Sequence, residues 1–146
     1  MALLSNGSYG VMITSAGAGY STWRGLHVTR WREDATRDCW GQLCYVRDLS
    51  WGGMWSIGEQ PLCQAAADSE FEFHADRAEF RRRDGDIETH WAVCVVPDTD
   101  AEVRSVTLGN RGQRSSESQL ITRPASATAW KRLCWTVNES LMVLCR

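Results

Sequence analysis

No stretch of this chain is apolar for long enough to cross a bilayer as a helix, which removes a helical membrane span from the readings of its sequence. Positive charge is not in excess either. Lys and Arg total 16 against 18 Asp and Glu, a formal net charge of -2, so no global field gathers phosphates and nucleic acid is not an expected partner. The first residues, Met1 to Tyr9, have neither the basic start nor the apolar centre of a secretory leader, and the expectation is a cytoplasmic chain. Six cysteines are present, but only Cys39 and Cys44 lie close together and no second close pair follows, so the spacing of a structural zinc knuckle is missing. Free thiols, no metal and no cofactor are expected. Gly17 and Gly19 are followed by neither a P-loop Lys-Ser nor a helix start, and read as a turn. Sustained helical periodicity is absent up to Gly112, and no segment repeats.

What remains is a β pattern. At 146 residues, with 43% hydrophobic and 23% charged, the chain suits one globular domain, which at this size buries about two thirds of its unfolded surface. Tyr9, Val11 and Ile13 alternate within a strand from Ser8 to Ser15, and further extended stretches run over Tyr20 to Trp23, His27 to Arg32, Gln42 to Asp48 and Met54 to Ser56. Glu33 to Asp38 reads as a loop or single turn. The sharpest signal is a hairpin. Phe71 and Phe73 alternate within Glu70 to His74, then Ala78, Phe80 and Arg82 share a face before Asp84-Gly85, and Ile87, Thr89, Trp91, Val93 and Val95 alternate until Pro97. A last strand from Ala101 to Leu108 stops at the turn residues Gly109 to Gly112. Short strands separated by Gly-rich turns predict an all-β, antiparallel β-sandwich. Arg81-Arg82-Arg83 lies between Glu79 and Asp84-Gly85-Asp86 and reads as a solvated strand end.

Several blocks in order then resemble one family. Leu4 to Thr14, Gly17 to Trp23, Thr29 to Asp34, Thr36-Arg37-Asp38, Trp40-Gly41, Tyr45 to Asp48, Trp55-Ser56 and Gln60-Pro61 are similar to the sandwich that opens the phosphorolytic unit of glycoside hydrolase family 94, formerly glycosyltransferase family 36. Ala78 to Asp84, Ile87-Glu88-Thr89, Glu102 to Leu108 and Asn110-Arg111-Gly112 bring the resemblance nearest to the cyclic β-1,2-glucan synthase branch. The resemblance runs from about Leu3 to Gly112 and implies a galactose-mutarotase-like super-sandwich, here incomplete at its C-terminal end. It also implies an oligosaccharide or glucan ligand, an (α/α)6 catalytic barrel as partner, and a parent synthase associated with the inner membrane. Residues 1–114 are expected to form the sandwich. Residues 115–146 are expected to be a divergent tail foreign to the fold, as though the reading frame had slipped.

The chain's own chemistry points away from catalysis. Inverting phosphorolysis needs an acid on the glycosidic oxygen and a phosphate held opposite it, and the barrel that would carry them in the family is not within these residues. Asp34, Asp38 and Asp48 each neighbour an arginine, which favours the ionised form and makes them ion-pair anchors. Eight tryptophans exceed what a core of this size needs. Indole rings also stack on the C–H faces of sugars, so Trp23, Trp31 and Trp55, with Arg30 and Arg47 as hydrogen-bond donors, are the expected sugar contacts. For most of the indoles, and for the arginines, packing and ion pairing are the stronger expectation. The function expected is that of a non-catalytic carbohydrate-binding or scaffolding domain. The alternatives are a structural or homodimerisation element, and an aldose-epimerase-like enzyme that would use His74 or His90 with Glu88.

Overall fold

The computed structural model describes residues 1–29, 40–113, 116–123, 131–136 and 140–145. Among them every regular element is a strand, and every pairing is antiparallel. β1 (Ala2–Ser5), β2 (Tyr9–Ile13), β3 (Gly19–Trp23) and β4 (Leu26–His27) form a four-stranded meander. β5 (Leu43–Asp48) and β6 (Met54–Ser56) join β11 (Glu117–Arg123) and β12 (Lys131–Thr136) in a second sheet, ordered β12-β11-β5-β6. The third sheet takes β7 (Asp68–Phe73), β8 (Arg77–Asp84), β9 (Ile87–Val95), β10 (Glu102–Asn110) and β13 (Ser140–Cys145), ordered β13-β10-β9-β8-β7.

The period-2 alternation read from the sequence produces one core shared by all three sheets. Leu4, Tyr9, Val11 and Ile13 from the first sheet meet Val46, Trp55 and Leu120 from the second, and Phe80, Trp91, Val93 and Val106 from the third. The hairpin of β8 and β9 closes over two residues, with Asp84 opposite Ile87 and Gly85 at φ 61° in the first loop position, a conformation glycine adopts without steric penalty. Close approach, in addition to the turn, explains Gly19. A Cβ there would lie 1.9 Å from the Met12 carbonyl oxygen, and its N–H donates to the Trp40 carbonyl at 2.8 Å.

A buried ion pair ties the meander to the five-stranded sheet. Glu102 is fully buried; it accepts from Ser21 Oγ at 2.6 Å and from Arg104 Nε at 2.8 Å. The Arg104 guanidinium lies 5.5 Å from the centre of the Trp91 ring, so the charge is held between a carboxylate and an aromatic face. Cys44 sits beneath it, and burial pushes its thiol up to about 12. With Cys63 and Cys94 it is a free thiol.

Apart from the stretch His27 to Arg32, the expected strands are present, with three differences. Ala2–Ser5 is also a strand, registered against β2 with Leu4 opposite Val11. The sheet continues past residue 114 into β11, whose Leu120 is 1% exposed and opposite Val46 of β5. Arg82 is not solvated: on β8 it points inward, is 5% exposed, and donates to both oxygens of Asp84 at 2.7 and 2.8 Å. Alternation explains this, because Phe80 and Arg82 share a face while Arg81 and Arg83 face solvent. Of the strand expected over His27 to Arg32, His27 closes β4, Val28 and Thr29 form a bend, and residues 30–32 lie outside the described residues, as does the loop expected over residues 33–38.

Candidate functional site

The third sheet ends in an aromatic row that runs from core to solvent. Phe71, Phe80 and Trp91 are direct cross-strand neighbours on β7, β8 and β9. Trp91 and Phe80 have ring centroids 4.8 Å apart, Phe80 and Phe73 6.4 Å, and Phe73 and Phe71 5.6 Å. Because β7 is the last strand of the sheet, Phe71 is 53% exposed. The loop over residues 57–66, which contains a cis Gln60–Pro61 peptide bond, folds in front of this row. Between loop and sheet opens a cleft of about 380 Å³, with Phe71 and Phe80 on its apolar side and Glu59, Gln64, Ser69 and Arg82 on its polar side. Arg82 is fixed there by Asp84 and by the Gln64 carbonyl, to which Nη2 donates at 3.0 Å. A partly exposed ring beside amide, hydroxyl, guanidinium and carboxylate groups can stack on one face of a sugar and bond its hydroxyls.

The opposite face of the same strands is charged. Glu79 of β8 stands directly across from Glu72 of β7. Its carboxylate accepts from Arg77 Nε, and His90 Nε2 and Arg81 Nη2 lie 3.3 and 3.4 Å from its Oε2. The Arg77 hydrogen bond, opposed by partial burial and reinforced by His90, holds the Glu79 carboxyl at about 2. His74 Nε2 lies 3.4 Å from Glu72 Oε2. One ligand atom each from Glu72, His74 and Glu79 falls within 4.8 Å of the others, the one such group of metal-capable side chains among the described residues.

Trp23, Arg47 and Trp55, the expected sugar contacts among the described residues, do not line the cleft. Trp23, 38% exposed, donates its indole N–H to Asp100 Oδ2 at 2.6 Å, and the Arg24 guanidinium lies 5.2 Å from its ring centre. Arg47 is exposed on β5. Trp55 is 2% exposed and packs in the core, so its ring has no face to offer a sugar. Arg30 and Trp31 lie outside the described residues, as do Asp34 and Asp38. The histidine and glutamate of the epimerase alternative are not brought together: Glu88 takes both Arg111 donors, at 2.7 and 3.0 Å, while His90 turns to Glu79.

Asp48 is held differently from the expected arginine pairing. Burial raises its carboxyl, but hydrogen bonds from Ser50, Ser116 and Trp51 outweigh that and leave it below the ordinary aspartate value. Arg47, one residue away on the strand, faces the other side. Asp100 is likewise held low, first by Ser8 and then by Trp23. Asp48, Glu79 and Asp100 are thus all shifted toward the ionised form, the opposite of what a general acid requires. The cleft residues escaped the sequence reading because Phe71 and Phe73 signalled only a strand. Nothing local shows that the loop over residues 57–66 folds against them.

Three antiparallel sheets around one shared core, with no helix among the described residues, define a supersandwich domain. The chain belongs to the glycosyl hydrolase 94 supersandwich domain family, whose model matches residues 1–122. It is therefore a domain of a glycosyltransferase and glycoside phosphorylase family. It is 40% identical over 110 residues to cyclic β-(1,2)-glucan synthase NdvB of Rhizobium meliloti (strain 1021), a match covering 75% of this chain and 4% of that protein. The family match extends through Thr122, well into β11. No helix among the described residues is long and apolar enough to cross a membrane.

Proposed function

We propose that this chain is a non-catalytic domain that contacts a glucan and supports the catalytic barrel of a family 94 enzyme. The observation that carries the sugar-contacting part is the cleft at the open end of the five-stranded sheet. There Phe71 is 53% exposed beside Glu59, Gln64, Ser69 and the immobilised Arg82. A fixed guanidinium beside an aromatic platform favours a ligand whose hydroxyls can be bonded while its ring stacks, because Arg82 has little side-chain freedom left to lose on binding. A β-1,2-linked glucan is the class to test, given that the 40% identical relative is named for making a cyclic form of it. Asp48, Glu79 and Asp100 are each shifted toward the ionised form, which suits none of the three to act as a general acid.

Titration calorimetry of the folded chain with linear and cyclic β-1,2-glucans tests this reading. Saturable heat is expected, weakened at least about fivefold in Phe71→Ala, since loss of one stacking aromatic is worth on the order of 1–3 kcal/mol. A folded chain that gives no heat, or whose binding ignores the Phe71 change, overturns it.

The scaffolding part rests on a separate surface. Trp23, Leu26 and Val28 cluster on the β3–β4 hairpin at 38%, 63% and 38% exposure. Apolar side chains gathered in this way mark a surface that another body covers. The (α/α)6 barrel of the parent enzyme is the partner this reading assigns to it, with a second copy of the chain as the competing occupant.

A further inference from the structure

We infer that Glu72, His74, Glu79 and His90 form a zinc-binding site on the outer face of the five-stranded sheet, a site independent of the sugar cleft. The placement follows from strand geometry. Residues two apart on a strand share a face, and the directly opposite residue of the neighbouring strand shares it with them. Glu72 and His74 are two apart at the end of β7, and Glu79 is the cross-strand partner of Glu72. His90, on β9, reaches the same Glu79 from the other side. One imidazole and two carboxylates therefore come to one spot from β7 and β8, and the His90 imidazole reaches the Glu79 carboxylate from β9, a ligand chemistry that suits zinc.

The spacing also fits. Zinc bonded to nitrogen and oxygen at about 2.0–2.1 Å in a tetrahedron keeps neighbouring ligand atoms about 3.3 Å apart. The separation is 3.4 Å between Glu72 Oε2 and His74 Nε2 and 3.3 Å between His90 Nε2 and Glu79 Oε2. The three ligand atoms of Glu72, His74 and Glu79 already lie within 4.8 Å of one another, so small side-chain rotations close the set. Arg77 does not block it, because its Nε bonds Oε1 of Glu79 and leaves Oε2 facing His90; it is placed to orient the carboxylate from behind. Arg81 stands on that second oxygen at 3.4 Å, a long contact from a side chain 54% exposed that swings freely into water. An ion here would pin the edge strand β7, which is exposed along most of its length, to β8 and β9.

Calorimetric titration of the full chain with zinc chloride provides the test, read beside its thermal midpoint. The expected result is saturable binding of one equivalent with a raised midpoint, weakened at least about tenfold by His74→Ala and by Glu72→Gln. Both residues are surface positions, 38% and 47% exposed, and without zinc both variants should melt with the parent. Absence of saturable heat overturns the inference. So does zinc binding of the same strength in His74→Ala, which would place the ion on thiols or elsewhere.

Discussion

Two glutamate–arginine pairs, each two residues apart on one strand, sit on opposite faces of the same sheet. Glu102 and Arg104 of β10 turn inward, with side chains 0% and 9% exposed, and reach Ser21 of the meander and the Trp91 ring. Arg77 and Glu79 of β8 turn outward, with the arginine 45% exposed and the glutamate sheltered mainly by its charged neighbours. Spacing and chemistry are alike, so the difference comes from where the strand alternation puts them. Inside, two charges withdrawn from water depend on each other and on the few fixed partners around them, Ser21 for the carboxylate and the Trp91 ring for the guanidinium. Outside, water and three further titratable or cationic groups share the load, and the carboxylate stays available to other ligands.

Breaking the inner pair should have the largest effect. Arg104→Ala leaves Glu102 charged and buried with only a serine donor, and is expected to cost about 3–5 kcal/mol of stability in urea denaturation followed by tryptophan fluorescence. A loss no greater than that of a surface substitution would mean that Glu102 takes up a proton or that water enters the core.

Asp48 sharpens the comparison, being a buried carboxylate held by neutral donors in place of an arginine. Its folded-state value lies below the unfolded one. The stability it supplies is therefore present above the unfolded value, about 3.9, and lost as pH falls through the folded one. Between pH 5 and pH 2.5 the urea midpoint of Asp48→Asn should decline less steeply than that of the parent, from a lower starting point at neutral pH. Parallel curves would show that Asp48 titrates alike in both states. The smallest effect belongs to Arg77→Ala, where exposure and the remaining Arg81 and His90 contacts should leave the urea midpoint nearly where it was.

The sequence declared the inner face better than the outer one. Period-2 alternation in Ala78-Glu79-Phe80-Arg81-Arg82 and in Ile87 to Val95 marks strand, face and hairpin, because most inward positions are apolar and the turn has its glycine. The same alternation puts Arg82 inward with Ala78 and Phe80, although it stands in a run of three arginines that reads as solvated. β1 went unseen because Leu3 and Leu4 are consecutive and the strand is four residues long; Leu3 is 71% exposed while Leu4 is buried. β11 begins in a serine-rich polar stretch, and only its pairing with β5 reveals Leu120 as core. The family was legible from ordered blocks of residues. The cleft was not, since it forms where a loop meets an edge strand, and the sugar contacts expected from tryptophan content included Trp55, which the core consumes.

The edge strand β7 carries a consequence for the chain in a crowded solution. Among the described residues its outer side pairs with no other strand, leaving a row of backbone donors and acceptors open to a stranger. Asp68, Glu70 and Glu72 alternate along it. Were a second copy to add its own β7 antiparallel and centred on Glu70, Glu70 would face Glu70 and each Asp68 would face a Glu72, setting like charges opposite one another at every outward position. In that register repulsion opposes growth of the open sheet copy by copy into a fibre, while an uncharged or basic strand would meet no such repulsion.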